Sequence, residues 1–150
     1  MDNQHIIIEP SNHAHWYALV KEAHEQSAYT YNDAMENYLV LTLKKFMTEN
    51  TLSQETIALR MLESLSEQDS EPDLFRTVGD ECLVISGLFP ERALKRHVSL
   101  DYYINTGQAA YQHYSTEPKH HCNDPQLFLA LSEHFIGLMD ILHLLRKTPH

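Results

Sequence analysis

The chain has 150 residues, 43% of them apolar, with 21 acidic side chains against 11 basic ones and a formal charge of −10. That length holds one domain with a core of its own, and that composition matches neither a disordered chain nor a membrane protein. The acidity works against nucleic acid, whose binders cluster Lys and Arg to displace counterions, and against docking on anionic membranes.

The opening ten residues hold only three apolar side chains in a row, Ile6 to Ile8, and no basic stretch. They do not read as a secretory signal and are expected to be loosely held. No run reaches the roughly 18 apolar residues of a membrane helix. Four glycines and six prolines supply few of the tight turns an all-β fold needs. The expectation is an all-α fold: a single compact bundle of five to six helices spanning 1–150.

In chain order, a first helix is entered at Ser11 or Asn12 and presents Trp16, Leu19, Val20, Ala23 and Ser27 on one face. A second, capped by Asn32 or Asp33, presents Met35, Tyr38, Leu39, Thr42 and Phe46. A third opens at Ser53 with Ile57, Ala58, Met61 and Leu65, and the polar run from Ser66 to Glu71 follows as a loop. The fourth, at about 73–87, spaces Phe75, Val78, Cys82, Ile85 and Phe89 by threes and fours. Its centre, Cys82 to Ile85, is apolar on every side, which predicts a helix surrounded by others. Gly79 and Ser86 lie on one stripe and allow a neighbour to come close, whereas Gly87 reads as the helix end, with a short helix from Pro90 through Arg96. Ser99 caps a fifth helix with the face Leu100, Ile104, Gly107, Tyr111 and Tyr114. Asp124 caps a last one, Pro125 at its first position, whose Phe128, Leu131, Phe135, Leu138, Leu142 and Leu145 form one continuous seam. Shallow helix crossings suit such spacing.

Several of these residues form a pattern: Tyr38-Leu39 with Phe46, Gly79-Asp80-Glu81-Cys82-Leu83, and Gly87-Leu88-Phe89-Pro90-Glu91. It continues with Val98-Ser99-Leu100-Asp101-Tyr102-Tyr103, Gly107, Ala110-Tyr111, Phe135 and Asp140. From Ala34 to Leu145 the pattern resembles a family of small bacterial all-helical proteins for which no activity is established. The resemblance implies a single bacterial helical domain and no particular chemistry. Lys21-Glu22-Ala23-His24-Glu25 also resembles the haem-ligating segment of the haem-oxygenase fold, and Gly79-Asp80 its distal helix, although the close glycine pair of that helix is missing here.

Four groups of residues bear on chemistry. Arg76 and Asp80 share a helix face at i,i+4, and with Asp101, Tyr102, Tyr103 and Asp140 they form the candidate pocket. The competing reading is a structural ion pair that ties the helix to a neighbour through Tyr102 or Tyr103. Arg92, Lys95, Arg96 and His97 are a candidate patch for an anion or an acidic partner, against the plainer reading of a solvated helix face. His113, His120, His121 and Cys122 are weak metal candidates, because their spacing matches no zinc pattern. Di-metal bundles carry Glu-x-x-His on two helices. Asp140/His143 is the nearest approach here, alongside Glu133-His134 and Glu22, His24 and Glu25. Ser86-Gly87 lacks the preceding glycine of a nucleophile elbow.

No cofactor and no bound metal are therefore expected. Cys82 in its apolar run acts as a small hydrophobe, which fits a reducing, cytoplasmic setting. The function read from the sequence is a non-enzymatic small-ligand-binding, protein-interaction or regulatory module. The alternative is an enzyme with a polar pocket around Arg76, Asp80, Asp101 and Tyr102, dependent on metal or haem. A homodimer or a protein partner is open, because Leu127, Ile141 and Leu144 widen the apolar face of the last helix.

Overall fold

The computed structural model describes residues 12–27, 32–49, 73–92, 99–118 and 122–147. Among them are six helices and no strand: α1 (Asn12–Gln26), α2 (Asp33–Glu49), α3 (Leu74–Leu88), α4 (Leu100–Thr116), α5 (Pro125–Glu133) and α6 (Phe135–Lys147). The helix expected from Ser53, the loop at Ser66–Glu71 and most of the short helix after Pro90 lie outside the described residues, as does the N-terminal segment.

The start signals work as their chemistry dictates. Asn32 accepts the Met35 N–H on Oδ1 at 2.9 Å, Ser99 accepts the Tyr102 N–H on Oγ at 3.2 Å, and Asp124 accepts the Leu127 N–H on Oδ1 at 3.2 Å. Each bond satisfies one of the N–H groups that a helix start leaves without an intrahelical partner.

α3 is the centre of the bundle. Every residue from Val78 to Leu88 is buried, and the helix packs most extensively on α4 and α6. Its neighbours on α4 run in reverse order. Asp73 meets Tyr114, Phe75 meets His113, Asp80 meets Tyr111, and Cys82 lies beside Gly107, so the two helices are antiparallel. α1 and α2 form a second antiparallel layer, in which α1 rests on α6 and α2 on α5. The core joins Val20, Leu39 and Leu43 from that layer to Leu83, Leu131, Phe135, Leu138 and Leu142. Burying each such side chain contributes about 1.5–3 kcal/mol.

Two sequence expectations are corrected. Gly87 does not end α3, which runs on to Leu88 and closes where the Phe89 N–H donates to the Ile85 carbonyl at 2.9 Å. The glycine is needed for packing, since a Cβ on it would sit 2.5 Å from Leu142 Cδ1. The seam from Phe128 to Leu145 is buried as expected but is not one helix. At His134 (φ −104°, ψ 19°) the chain leaves helical geometry, and α5 and α6 diverge by 71°. The cause lies on α4: Gln108 Nε2 donates to the Ser132 carbonyl at 3.2 Å, and Ser132 Oγ donates to the Gln108 carbonyl at 2.9 Å. That exchange ties the end of α5 to α4, while the bend turns Phe135 inward against Gly107. No single helix among the described residues is long and apolar enough to cross a membrane.

Candidate functional site

The most unusual group inside the bundle is the carboxyl of Asp80, in the middle of α3 and only 5% exposed. Two phenols from different helices donate to the same oxygen. Tyr38 of α2 and Tyr111 of α4 each reach Oδ1 at 2.7 Å. The glycine before Asp80 makes the second bond possible. The Tyr111 ring lies so close to Gly79 that a Cβ there would stand 2.5 Å from its Cε1. Phe128 of α5 completes the walls, with its ring 5.2 Å from that of Tyr38, 5.9 Å from that of Tyr111 and 4.9 Å from that of Tyr114. Four helices thus meet at one buried acid.

Burial pushes the Asp80 carboxyl up to about 6. The two phenols, the Arg76 guanidinium and Lys45 pull in the other direction without cancelling that cost. A neutral hydroxyl stabilises a carboxylate less than a cation does, so the desolvation of the charged form dominates. Both phenols are themselves raised above their ordinary value, first by burial and then by the Asp80 charge, and remain donors.

Arg76 does not form the expected short ion pair with Asp80. Its Nη2 lies 3.8 Å from Asp73 Oδ2, at the start of α3, where both side chains reach solvent. Partial burial works against its charge, but Tyr38, Asp73, Asp80 and Tyr114 together hold it above the usual guanidinium value. Arg76 and Asp80 are therefore brought together as neighbours in one electrostatic field. The other expected members lie elsewhere. Asp101 is exposed in the first turn of α4, ten residues and about 15 Å of helix from Tyr111. Tyr102 and Tyr103 pack edge to face, with centroids 5.6 Å apart, at that same far end. Asp140 is exposed on α6.

A second buried carboxyl, Glu36 in the first turn of α2, is 3% exposed and bonds to His24 Nδ1 of α1 at 3.1 Å. His24 thus bridges the first two helices. Near the other end of α3, His143 Nε2 lies 3.0 Å from the Ser86 carbonyl. Only a ring N–H can bond a carbonyl, so this nitrogen carries the proton and satisfies an acceptor of the last helical turn. Phenol and imidazole partners of this kind escape a reading built on local spacing. The one signal for Tyr38 and Tyr111 is that both fall on core faces, where a buried hydroxyl needs a partner.

Of the weak metal candidates, His113 stacks on Phe75 with centroids 4.3 Å apart, and Cys122 is half-buried. His120 and His121 lie outside the described residues. Among the described residues no three His, Cys, Asp or Glu side chains are grouped to hold an ion. Arg92 is half-buried just beyond α3, whereas Lys95, Arg96 and His97 lie outside the described residues. A groove of about 580 Å³ is lined by Pro90, Leu100, His143 and Arg146. Comparison with known protein families, with curated proteins and with solved structures found no match to this chain.

Proposed function

We propose that the chain is a non-enzymatic binding or regulatory module, with its contact region at the turn that follows α3, Phe89 to Arg92, and the start of α4. The observation that carries this reading is the hydrogen bonding at Asp80. The acid most suited to catalysis by burial and charge accepts bonds from two phenols at 2.7 Å and ties α2 and α4 to α3. Its role is then architectural, and the binding surface lies elsewhere on the molecule. The experiment is an absorption spectrum with metal analysis of full-length protein prepared without a histidine tag. The expected result is no Soret band and no stoichiometric metal; either one would overturn the reading.

A second reading has one specific observation in its favour. A buried carboxyl held near 6 is poised to pass a proton at neutral pH. In that case Asp80 acts as a general acid or base, with Tyr38 and Tyr111 as positioning donors. This reading requires a path by which a substrate reaches α3, and it predicts that a reactive small-molecule probe of carboxyl groups labels Asp80 in the folded protein.

A further inference from the structure

We infer that the protein forms a domain-swapped dimer, in which α5 and α6 straighten into one helix and two copies exchange α6. The inference goes beyond the binding-module reading and does not depend on it. Sharp helix kinks fall at proline, at glycine or where a side chain enters the backbone ladder. Neither proline nor glycine occurs from Gln126 to Ile136, and the nearest glycine, Gly137, already lies inside α6. What holds the bend comes from α4. In an unbroken helix the Ser132 carbonyl accepts the N–H four residues on, that of Ile136. Here it accepts Gln108 Nε2 at 3.2 Å.

The apolar pattern ignores the bend. Phe128, Leu131, Phe135, Leu138, Leu142 and Leu145 alternate steps of three and four, and all are buried. Two helices that diverge by 71° need no common phase, whereas one straight helix from Pro125 to Lys147 carries all of them on a single face. α6 is also suited to exchange. It sits chiefly on α3 and α1 and only slightly on α5, and everything before the bend reaches it through one connection. Its seat places Leu142 against Gly87, His143 on the Ser86 carbonyl and Arg146 beside Glu91. The α6 of a second copy fills that seat with the same contacts, so exchange of the identical element costs little. Ile136, at the bend, is 51% exposed, one of two large apolar side chains so exposed among the described residues. Where two straightened helices pass each other at the crossover, their Ile136 side chains meet and leave water.

The test is size-exclusion chromatography with light scattering on the full chain, refolded from urea at rising concentration. The expected dimer grows with concentration during refolding and, once formed, persists on dilution, because α6 must leave the core before the copies separate. Gln108→Ala removes the clamp from the bent form alone and should raise the dimerisation constant about tenfold. Ile136→Lys should lower it at least about tenfold. Charge distinguishes exchange from ordinary pairing. Glu91→Arg and Arg146→Glu each place like charges across the seat of α6. Refolded together, the two variants restore opposite charges at both seats only if α6 crosses over, and the ratio of mixed to homotypic dimer should exceed its statistical value about fivefold. Gln108 is half-buried and the other three side chains are exposed, so unchanged melting curves will show that the variants fold. A wild type and Gln108→Ala that both stay monomeric at every concentration, a dimer that separates at once on dilution, or a statistical share of mixed dimers would overturn the inference.

Discussion

Asp80 and Glu36 are both buried carboxyls, and the company each keeps is different. Glu36 sits in the first turn of α2, where the helix dipole favours a negative charge, and its partner His24 is able to become a cation. Asp80 sits mid-helix, far from either terminus, and its two partners are neutral phenols. Hydrogen-bond count alone would rank Asp80 as the better satisfied of the two. The charge of the partner and the position along the helix matter more, because removing a carboxylate from water costs several kcal/mol that neutral donors repay only in part. The fold spends that cost at the point where α2, α3, α4 and α5 converge.

The largest expected effect comes from disturbing the geometry that lets Tyr111 reach Asp80. Gly79→Val drives a branched Cβ into the Tyr111 ring and pulls its hydroxyl off the acid. Overpacking and the stranded buried groups together should lower unfolding free energy by about 3–5 kcal/mol in urea titration. A loss below about 1 kcal/mol would mean that the ring moves aside freely. Tyr111→Phe removes one donor and keeps the ring. It should cost about 2 kcal/mol at pH 8, where the acceptor is charged, and about 1 kcal/mol at pH 5, where Asp80 is neutral. A cost independent of pH would separate that phenol from the acid. At the other carboxyl, His24→Ala leaves Glu36 without its side-chain donor and loosens only the α1–α2 layer. About 1 kcal/mol is expected, read by the same titration, and a larger loss than from Tyr111→Phe would reverse the ranking of the two sites.

The parts of the architecture that were readable from the sequence are those set by residues within one or two turns of each other. Four consecutive apolar residues at Cys82–Ile85 require a surrounded helix, and α3 is surrounded. Asn32, Ser99 and Asp124 each act on an N–H three residues ahead. The bend at His134 escaped because its cause, Gln108, acts on Ser132 from twenty-four residues away. The partners of Asp80 escaped for the same reason, being separated from it by 42 and 31 residues. Arg76, four residues away, is the visible partner by spacing, yet the start of α3 offers it Asp73 in the open, where a guanidinium keeps more of its water. Burial of Asp80 followed from the apolar helix; the identity of its donors followed only from how α2 and α4 are laid against it.

The most direct test is the pH dependence of stability, compared between the wild type and Asp80→Asn. Asparagine keeps an acceptor for both phenols and never ionises. With its carboxyl raised to about 6 in the fold, against about 3.9 in an unfolded chain, Asp80 is protonated more readily in the folded state than in the unfolded one. Its contribution is therefore complete below about pH 4 and is lost as the pH rises through about 6, a fall of about 3 kcal/mol. Asp80→Asn should gain on the wild type by that amount between pH 4 and pH 7. A constant difference across that range, or a wild type that gains on the variant as the pH rises, would contradict the account of a buried acid held by neutral donors.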